Sequence, residues 1–296
     1  MEYVACYLCG AHETEPWATE NGYDARRCAE CRLIYVTPRP NTDEIDQATR
    51  TGSHRTNVGE LKVTGSFSKV RQKRLEALLP RLFAQRISQG GPVRWLDIGS
   101  GHGELLLAAQ ATMPAGSTVV GVEPNTAKRV GAQRRGLVTV ASVEELAGPF
   151  DVLSLMNVYS HLPDPVGIIS GWTSLLAETG ELFLETGNGA DLSRRDGYPG
   201  ALDLPDHLSF TGEPQLKLLF DLIGFRSTRI HRARLDGVLG ASYQLVRHLR
   251  DRSVPIHLPY RSSFRDLFVI AHRTSTGPAS GAAAATSAEP QQCLLD

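Results

Sequence analysis

The sequence of 296 residues lacks long apolar runs, a secretory leader pattern and any excess of charge. No stretch reaches the roughly 20 apolar residues that a membrane-spanning helix needs. Glu2 stands where a leader would begin with basic residues, and no apolar segment follows it. The 31 basic and 32 acidic residues leave a net charge of −1, so no global attraction to nucleic acid is implied. These absences predict a cytoplasmic protein without membrane or nucleic-acid partners.

The composition is sufficient for one folded domain and a small accessory part. Hydrophobic residues make up 41% of the chain, which suffices to bury one full core. From residue 275 onward, Ala, Ser, Gly, Thr and Pro dominate and large apolar side chains are few. Because such a segment cannot bury enough surface to offset its chain entropy, we expect a disordered tail over 275–296.

A glycine-rich segment in the first half of the chain predicts a cofactor pocket. Residues 93–98 are apolar and β-prone, which indicates a buried parallel strand containing Asp97. A second predicted strand over 117–122 leads to Glu123, and an acid at this position commonly binds ribose hydroxyls. Between the strands, glycines at alternate positions let the backbone approach a ligand without Cβ interference. These are Gly99, Gly101 and Gly103. The pattern predicts a cofactor that contains a nucleoside.

The glycine spacing selects among such cofactors. The dinucleotide fingerprint G-x-G-x-x-G needs glycine at position 104, where this chain has Glu104, and that charge would oppose a pyrophosphate. An acid followed by G-x-G-x-G resembles motif I of class I S-adenosylmethionine (SAM) methyltransferases. The resemblance implies that Asp97 lies near the methionine amino group and that Glu123 holds both ribose hydroxyls. The cofactor-binding residues that it implies are Asp97, Gly99, Gly101, Gly103, Glu123, Pro124, Ser142, Val143 and Asn157.

The rest of the chain alternates strands and helices as this family does. Strands are predicted over 150–156 and 180–186, and the segment after the first of them resembles a strand-end motif ending in H-L-x-D-P. Asp164 would cap the next helix there, with Pro165 at its first position. The remaining predicted elements are a helix over 214–222 and an antiparallel pair over 227–235 and 264–272. Together they predict an α/β fold with a Rossmann-like, seven-stranded class I methyltransferase sheet.

Cysteine spacing predicts a metal site near the N-terminus. Cys6 and Cys9 form one C-x-x-C pair, Cys28 and Cys31 form another, and 18 residues separate the two pairs. This spacing is typical of a structural Zn²⁺ site with four thiolates, as in a zinc ribbon. The metal would supply most of the folding free energy of so short a segment. Two disulfides are the alternative, and the missing secretory pattern favours zinc.

These motifs divide the chain into four predicted parts. They are a zinc-binding module over 1–40, a linker or lid over 41–66, a SAM-dependent methyltransferase domain over 67–274 and the tail. The polar composition of 41–66 favours a linker, whereas its length favours a functional loop. The sequence gives no indication of the oligomeric state.

Three histidines follow predicted strands at the edge where an acceptor would bind. His102 belongs to the glycine loop and is expected to contact the cofactor, and His161 belongs to the strand-end motif. His207 precedes the helix over 214–222, in a segment that resembles the family's E-H-x-x-x-[FT] stretch above the acceptor. Because a hydroxyl or carbon acceptor must lose a proton, and His is the common base near neutral pH, His207 is the first candidate base and His161 the second.

Two groups of methyltransferases carry such an N-terminal module. Natural-product enzymes that C-methylate nucleotide-linked deoxysugars resemble this chain in the cysteine pairs, motif I and the His207 segment. Ribosomal-RNA guanine methyltransferases also carry a zinc ribbon, but the charge balance and the absence of an N-P-P-[YF] motif argue against an RNA base. We therefore predict methyl transfer to a hydroxyl or carbon of a small natural-product or sugar-type acceptor. An RNA methyltransferase and a non-catalytic SAM-binding scaffold remain the alternatives.

Overall fold

A computed structural model describes residues 1–57, 59–198, 200–233, 249 and 263–274. The predicted tail over 275–296 lies outside these residues. Within the described part of the chain, no helix combines the length and the apolar character that crossing a bilayer requires.

The N-terminal part contains two small sheets and one helix. Its elements are β1 (Thr14–Glu20), β2 (Tyr23–Cys28), β3 (Ile34–Val36), α1 (Thr42–Thr51), β4 (Ser53–Thr56) and β5 (Gly59–Lys62). Strands β1, β2 and β3 are antiparallel neighbours, and β4 and β5 form a separate hairpin. The polar stretch over 41–66 is therefore folded. Asn41 caps α1 by accepting from the Glu44 amide, while the Glu44 side chain accepts from the Asn41 amide.

The larger part follows as alternating helices and strands. Its helices are α2 (Lys69–Leu82), α3 (Ala84–Gln89), α4 (Glu104–Thr112), α5 (Thr126–Gln133), α6 (Pro165–Trp172) and α7 (Glu213–Leu222). Its strands are β6 (Arg94–Ile98), β7 (Thr118–Val122), β8 (Val138–Val140), β9 (Phe150–Met156), β10 (Leu176–Gly187), β11 (Ser209–Phe210), β12 (Phe225–Ala233) and β13 (Asp266–Arg273). Asp164 caps α6 and Pro165 opens it, as predicted.

Seven of these strands form the main sheet in the order β12-β13-β10-β9-β6-β7-β8. The five neighbouring strands β10, β9, β6, β7 and β8 run parallel to one another. Strand β13 runs antiparallel to both of its neighbours, β10 and β12. The seven-stranded, Rossmann-like class I methyltransferase sheet is thus confirmed. The chain leaves β6 toward β7 on one side and returns to β9 on the other. Such a switch point opens a crevice at the carboxyl ends of the strands.

Buried aromatic rings support the sheet from one side. Trp95 on β6 is fully buried, and its ring centroid lies 4.9 Å from that of Phe83 and 6.2 Å from that of Phe183. Its indole Nε1 donates to Ser154 Oγ at 2.8 Å, so the ring's single polar atom is satisfied. This packing holds β6 and β9 in register beneath the switch point.

The N-terminal sheet is completed by a strand from the larger part. β11 pairs with β3, which gives the order β1-β2-β3-β11. The buried Arg27 on β2 donates to the carbonyls of Ala190 and Leu192, at 2.9 and 2.6 Å. The cysteine-containing part is therefore built into the same structure as residues 189–210.

Candidate active site

The loop after β6 has a backbone shape that depends on glycine. Gly99 has a φ of 73°, and a Cβ there would lie 2.3 Å from Val158 Cγ2. Gly101 has a φ of 55°, but its missing side chain would face open space. Only glycine adopts this conformation without strain, and at Gly101 the open side leaves room for a ligand against the backbone.

Glu123 lies immediately after β7 and is only 5% exposed. Its Oε2 accepts from the Gly101 amide at 2.7 Å, and its Oε1 accepts from the Asn125 amide at 2.8 Å. Each carboxylate oxygen retains a second lone pair. The two amides therefore orient the carboxylate beside the glycine loop while leaving it able to accept from two hydroxyls.

Asp97 lies at the end of β6 and is only 1% exposed. Its Oδ1 accepts from Ser154 Oγ at 2.6 Å. Burial raises the pKa of Asp97 to about 7, although the Ser154 hydrogen bond and the charge of Arg71 act in the opposite direction. A cation placed beside Asp97 would lower the pKa of this carboxyl group and so favour its ionised form.

The other predicted cofactor residues lie at the carboxyl ends of neighbouring strands. Pro124 follows Glu123, and its carbonyl accepts from Arg129 Nη1 at 3.1 Å. Ser142 lies two residues after β8 and precedes a short 3₁₀ turn that begins at Val143. Asn157 follows β9 with a φ of 60°. All of them are at the edge of the sheet that carries Asp97 and Glu123.

A cavity of about 620 Å³ opens at this edge, between α2 and the ends of β9, β10, β12 and β13. Apolar and aromatic side chains form most of its exposed wall, and many polar and charged groups lie among them, including Arg71, Arg74 and Arg81. Its lining residues include Asn157, Ser160, Glu185, Tyr198, His207 and Phe210. A cavity of this size suits a small molecule.

His207 lines this cavity, and its Nδ1 lies 2.8 Å from the carbonyl oxygen of Leu202. Because a carbonyl only accepts, Nδ1 carries the proton and Nε2 keeps its lone pair in the neutral ring. Burial lowers the pKa of His207 to about 4, and the charge of His161 acts in the same direction. The imidazole is therefore neutral at physiological pH and has one available basic nitrogen.

His161 and Asp206 form a hydrogen-bonded pair beside His207. His161 Nδ1 lies 2.9 Å from the Asp206 carbonyl oxygen and 3.4 Å from its Oδ2. Burial alone would lower the pKa of His161, but the charge of Asp206 and its hydrogen bonds outweigh burial and raise it. The ring centroids of His161 and His207 are 4.7 Å apart. The structure thus brings both predicted catalytic histidines together.

A third histidine joins this group, and sequence reasoning did not select it. His54 on β4 has its Nε2 2.9 Å from Asp206 Oδ1. It lies in the polar stretch over 41–66, where neither spacing nor a motif distinguishes it. Only the folding of the β4–β5 hairpin against the loop that precedes β11 reveals its contact.

The four predicted zinc ligands converge near the N-terminus. The sulfurs of Cys6 and Cys31 are 3.4 Å apart, those of Cys9 and Cys28 are 3.5 Å apart, and all four lie within 4.8 Å of one another. Both C-x-x-C pairs have the same turn, since the residue after each has a positive φ: Gly10 at 74° and Arg32 at 63°.

The cysteine cluster is linked to the cavity by hydroxyl groups. Tyr7 lies between Cys6 and Cys9 in the sequence, and its hydroxyl is 2.6 Å from that of the fully buried Tyr159. The same hydroxyl donates to Ser209 Oγ at 3.0 Å, and Ser209 lines the cavity. Tyr7, which lies within the first cysteine pair, therefore contacts β11 directly.

Comparisons with known proteins agree with this architecture. A family model described as a methyltransferase domain matches residues 67–230, more than half of the chain. The ubiquinone biosynthesis O-methyltransferase of Xanthomonas axonopodis pv. citri (strain 306) is 37% identical over 129 residues, covering 40% of this chain and 53% of that protein. The corresponding enzyme of Xanthomonas campestris pv. campestris (strain B100) is 40% identical over 129 residues, with the same coverage. The chain thus spans about half the length of these curated relatives.

A solved structure shows the same fold with little sequence identity. It is a protein assigned as a sarcosine dimethylglycine methyltransferase from Galdieria sulphuraria, with a TM-score of 0.52 and 11% identity over 70% of this chain and 91% of that one. The family match, the strand order and the glycine loop agree with one another. The chain belongs to the methyltransferase domain family, the SAM-dependent methyltransferases of class I fold.

Proposed function

We propose that the chain transfers a methyl group from SAM to a hydroxyl or carbon of a small natural-product or sugar-type acceptor, with His207 as general base. The observation that carries this proposal is the orientation of His207 in the cavity wall. Its Nδ1 is engaged by the Leu202 carbonyl, so the basic Nε2 is the atom left for an acceptor. A base in this position would contribute about 10²–10⁴-fold to the rate.

The residues at the sheet edge fit SAM. When bound, SAM supplies an electrophilic methyl group on a positively charged sulfur. We propose that Glu123 accepts from the ribose hydroxyls and that Asp97 faces the amino group, with the open side of Gly101 against the cofactor. The burial of both acids supports this assignment, because a charged hydrogen bond in such surroundings is worth about 1.5–3 kcal/mol.

The cavity, the net charge and the relatives support the proposed acceptor class. The volume and the largely apolar wall favour a small organic molecule over an RNA strand. The net charge of −1 gives no general attraction to a polyanion. The curated relatives are named as O-methyltransferases, which favours a hydroxyl over a carbon acceptor.

We propose that Cys6, Cys9, Cys28 and Cys31 bind one structural Zn²⁺. Sulfurs that surround a tetrahedral zinc at about 2.3 Å are about 3.8 Å from one another. The sulfur–sulfur distances of 3.4 Å for Cys6 and Cys31 and 3.5 Å for Cys9 and Cys28 are close to this value. The matching turns after Cys9 and Cys31 support a metal knuckle at each pair. Zinc here would hold the β1–β3 module and, through Tyr7, the position of Tyr159.

We also propose that residues 41–66 act as a lid over the cofactor rather than as a linker. Two contacts support this role. The Arg50 carbonyl accepts from Asn125 Nδ2 at 3.1 Å, and the Thr64 carbonyl lies 3.0 Å from His102 Nε2. One contact is beside Glu123 and the other is within the glycine loop. This lid would lie in the chain between the zinc module at 1–40 and the methyltransferase domain at 67–274.

The experiment is a turnover assay with a panel of sugar nucleotides, phenols and polyketide alcohols, following S-adenosylhomocysteine formation. On the acceptor identified, His207→Ala should lower kcat by about 10²–10⁴-fold and leave the SAM affinity unchanged. His231→Ala is the matched control, because His231 also lines the cavity, and it should alter KM more than kcat. Full turnover by the His207→Ala variant would contradict the proposed base and point to an amine acceptor.

A further inference from the structure

His54 is a buried histidine that comes from outside the methyltransferase sheet. It is 7% exposed and lies on β4 of the hairpin that follows α1. The hairpin is held from another side by the Tyr23 hydroxyl, which donates to the Arg55 carbonyl at 3.4 Å. The side chain of His54 is thus brought to the catalytic edge by a segment about 150 positions away from its partner Asp206 in the sequence.

Asp206 lies between two imidazoles. Its Oδ1 is 2.9 Å from His54 Nε2, and its Oδ2 is 3.4 Å from His161 Nδ1. Because an ionised carboxylate only accepts hydrogen bonds, both imidazole nitrogens are donors. Burial would raise the pKa of Asp206, but the charge of His161 and the hydrogen bonds from His161 and His54 outweigh it and hold the pKa well below its ordinary value.

The pair formed by His161 and Asp206 affects the pKa of His207, because the ring of His161 lies next to that of His207. The imidazoles of His161 and His207 are 4.7 Å apart and tilted by 41°. A positive charge on His161 at this separation opposes a second one on His207. The orientation of Asp206 therefore governs whether His161 is charged, and this in turn affects the protonation of the nitrogen that faces the acceptor.

We propose that His54 is a positioning residue: by holding Asp206 against His161, it keeps the Nε2 atom of His207 available to take a proton from the acceptor. This inference rests on the proposed role of His207 as base and extends it to the lid segment. When β4 is docked, His54 holds Asp206 against His161 and the Nε2 atom of His207 is unprotonated. When His54 is absent, the Asp206 carboxylate has one donor fewer and can rotate away from His161.

Other charges face this group and remain in every variant considered. The charges of Glu20 and Asp206 raise the pKa of His207. The charge of Asp206 raises the pKa of His161, and that of Lys128 lowers it. Asp203 interacts with Asp206, Glu20 and His161. None of them hydrogen-bonds to the Oδ1 atom of Asp206 among the described contacts, so His54 alone supplies that bond.

The direct test follows the histidine titrations by NMR in the full-length protein, without an acceptor. In His54→Leu, the pKa of His207 should rise from about 4 toward its ordinary value, while that of His161 falls. His54→Gln keeps a donor at the position of Nε2 and should restore both titrations. Tyr23→Phe removes a bond to the same hairpin without touching Asp206, and should leave both titrations as in the wild type.

The pH dependence of kcat provides the second measurement. A base with a pKa of about 4 is almost fully available at pH 5.5, whereas a base with the ordinary histidine pKa is about tenfold less available there. His54→Leu should therefore lose kcat at pH 5.5 relative to its own value at pH 8, by at most about tenfold because burial still lowers the pKa of His207, with unchanged SAM affinity. A merely structural role would lower kcat equally at all pH values.

The outcomes separate this inference from the proposed function. Unchanged titrations of His161 and His207 in a folded His54→Leu protein would overturn the role of His54, whatever the activity. If His54→Leu does not fold, as judged by circular dichroism, the Gln variant still decides. Failure of Gln to reproduce the wild-type titrations would show that hydrogen bonding by residue 54 is not the cause. Full activity of His207→Ala would instead refute the base itself.

Discussion

Lowering the pH from 7 to 6 should weaken SAM binding about fivefold, because Asp97 takes up a proton over this range. The pKa of Asp97 is raised to about 7 by burial, and nearby Glu123 and Glu185 add to this effect while Ser154 and Arg71 oppose it. A cationic amino group bound beside Asp97 favours the ionised form. The cofactor therefore binds best where Asp97 is already charged, and its affinity falls as the pH decreases through 7.

The magnitude follows from the fraction of ionised carboxylate. With a pKa of about 7, Asp97 is about half ionised at pH 7 and about one-tenth ionised at pH 6. Below pH 6 the affinity should fall nearly tenfold per pH unit, or about 1.4 kcal/mol. Binding at pH 6 must also release nearly one proton per SAM molecule, because the carboxyl group loses its proton on binding.

Titration calorimetry in two buffers with different ionisation enthalpies measures both quantities. Asp97→Asn is the control, since it keeps the shape of the side chain but cannot ionise. It should bind SAM more weakly at pH 7 and show neither the proton release nor the steep pH dependence. If the wild-type affinity is the same at pH 5 and pH 7, without proton release, Asp97 does not face the amino group and its proposed role is wrong.

Two further predictions concern the cofactor and the metal. Glu123→Ala should weaken SAM binding by about 2–4 kcal/mol, because both ribose hydroxyls lose their acceptor, and calorimetry with SAM or S-adenosylhomocysteine measures the loss. An unchanged affinity would mean that the ribose binds elsewhere. The purified protein should contain about one zinc per chain, measured by metal analysis. Zinc should be lost in the double variant of Cys28 and Cys31 to Ser and retained in Cys293→Ser, and a fully active wild type without metal would contradict the structural role.

The main sheet could be predicted because its signals are local. The strand over 150–156 has the predicted bounds, and the helix predicted over 214–222 begins one residue earlier. Apolar runs and the Asp164–Pro165 cap determine these elements within a few residues of chain. The predicted strand over 227–235 is observed as β12 and ends at Ala233, with residues 234 and 235 outside the described part.

The remaining features depend on contacts between distant segments. β11 has only two residues, and its pairing with β3 joins positions 174 residues apart, Ser209 and Tyr35. No periodicity can indicate a strand this short. The contact between His54 and Asp206 is of the same kind. The glycine loop and His207 could be identified from sequence, whereas the group that surrounds His207 could not, because its members meet only after the β4–β5 hairpin has docked.

The pairing of β11 with β3 also sets an order of events during synthesis on the ribosome. At about 5–20 residues per second, β11 emerges roughly 10–35 s after β3. Throughout this interval the hydrogen-bonding edge of β3 is uncovered. Such an edge can pair with another nascent chain. A fragment that stops before residue 209 would keep this edge permanently, so we expect it to aggregate even with its cysteine site intact, whereas the complete chain covers the edge with its own strand.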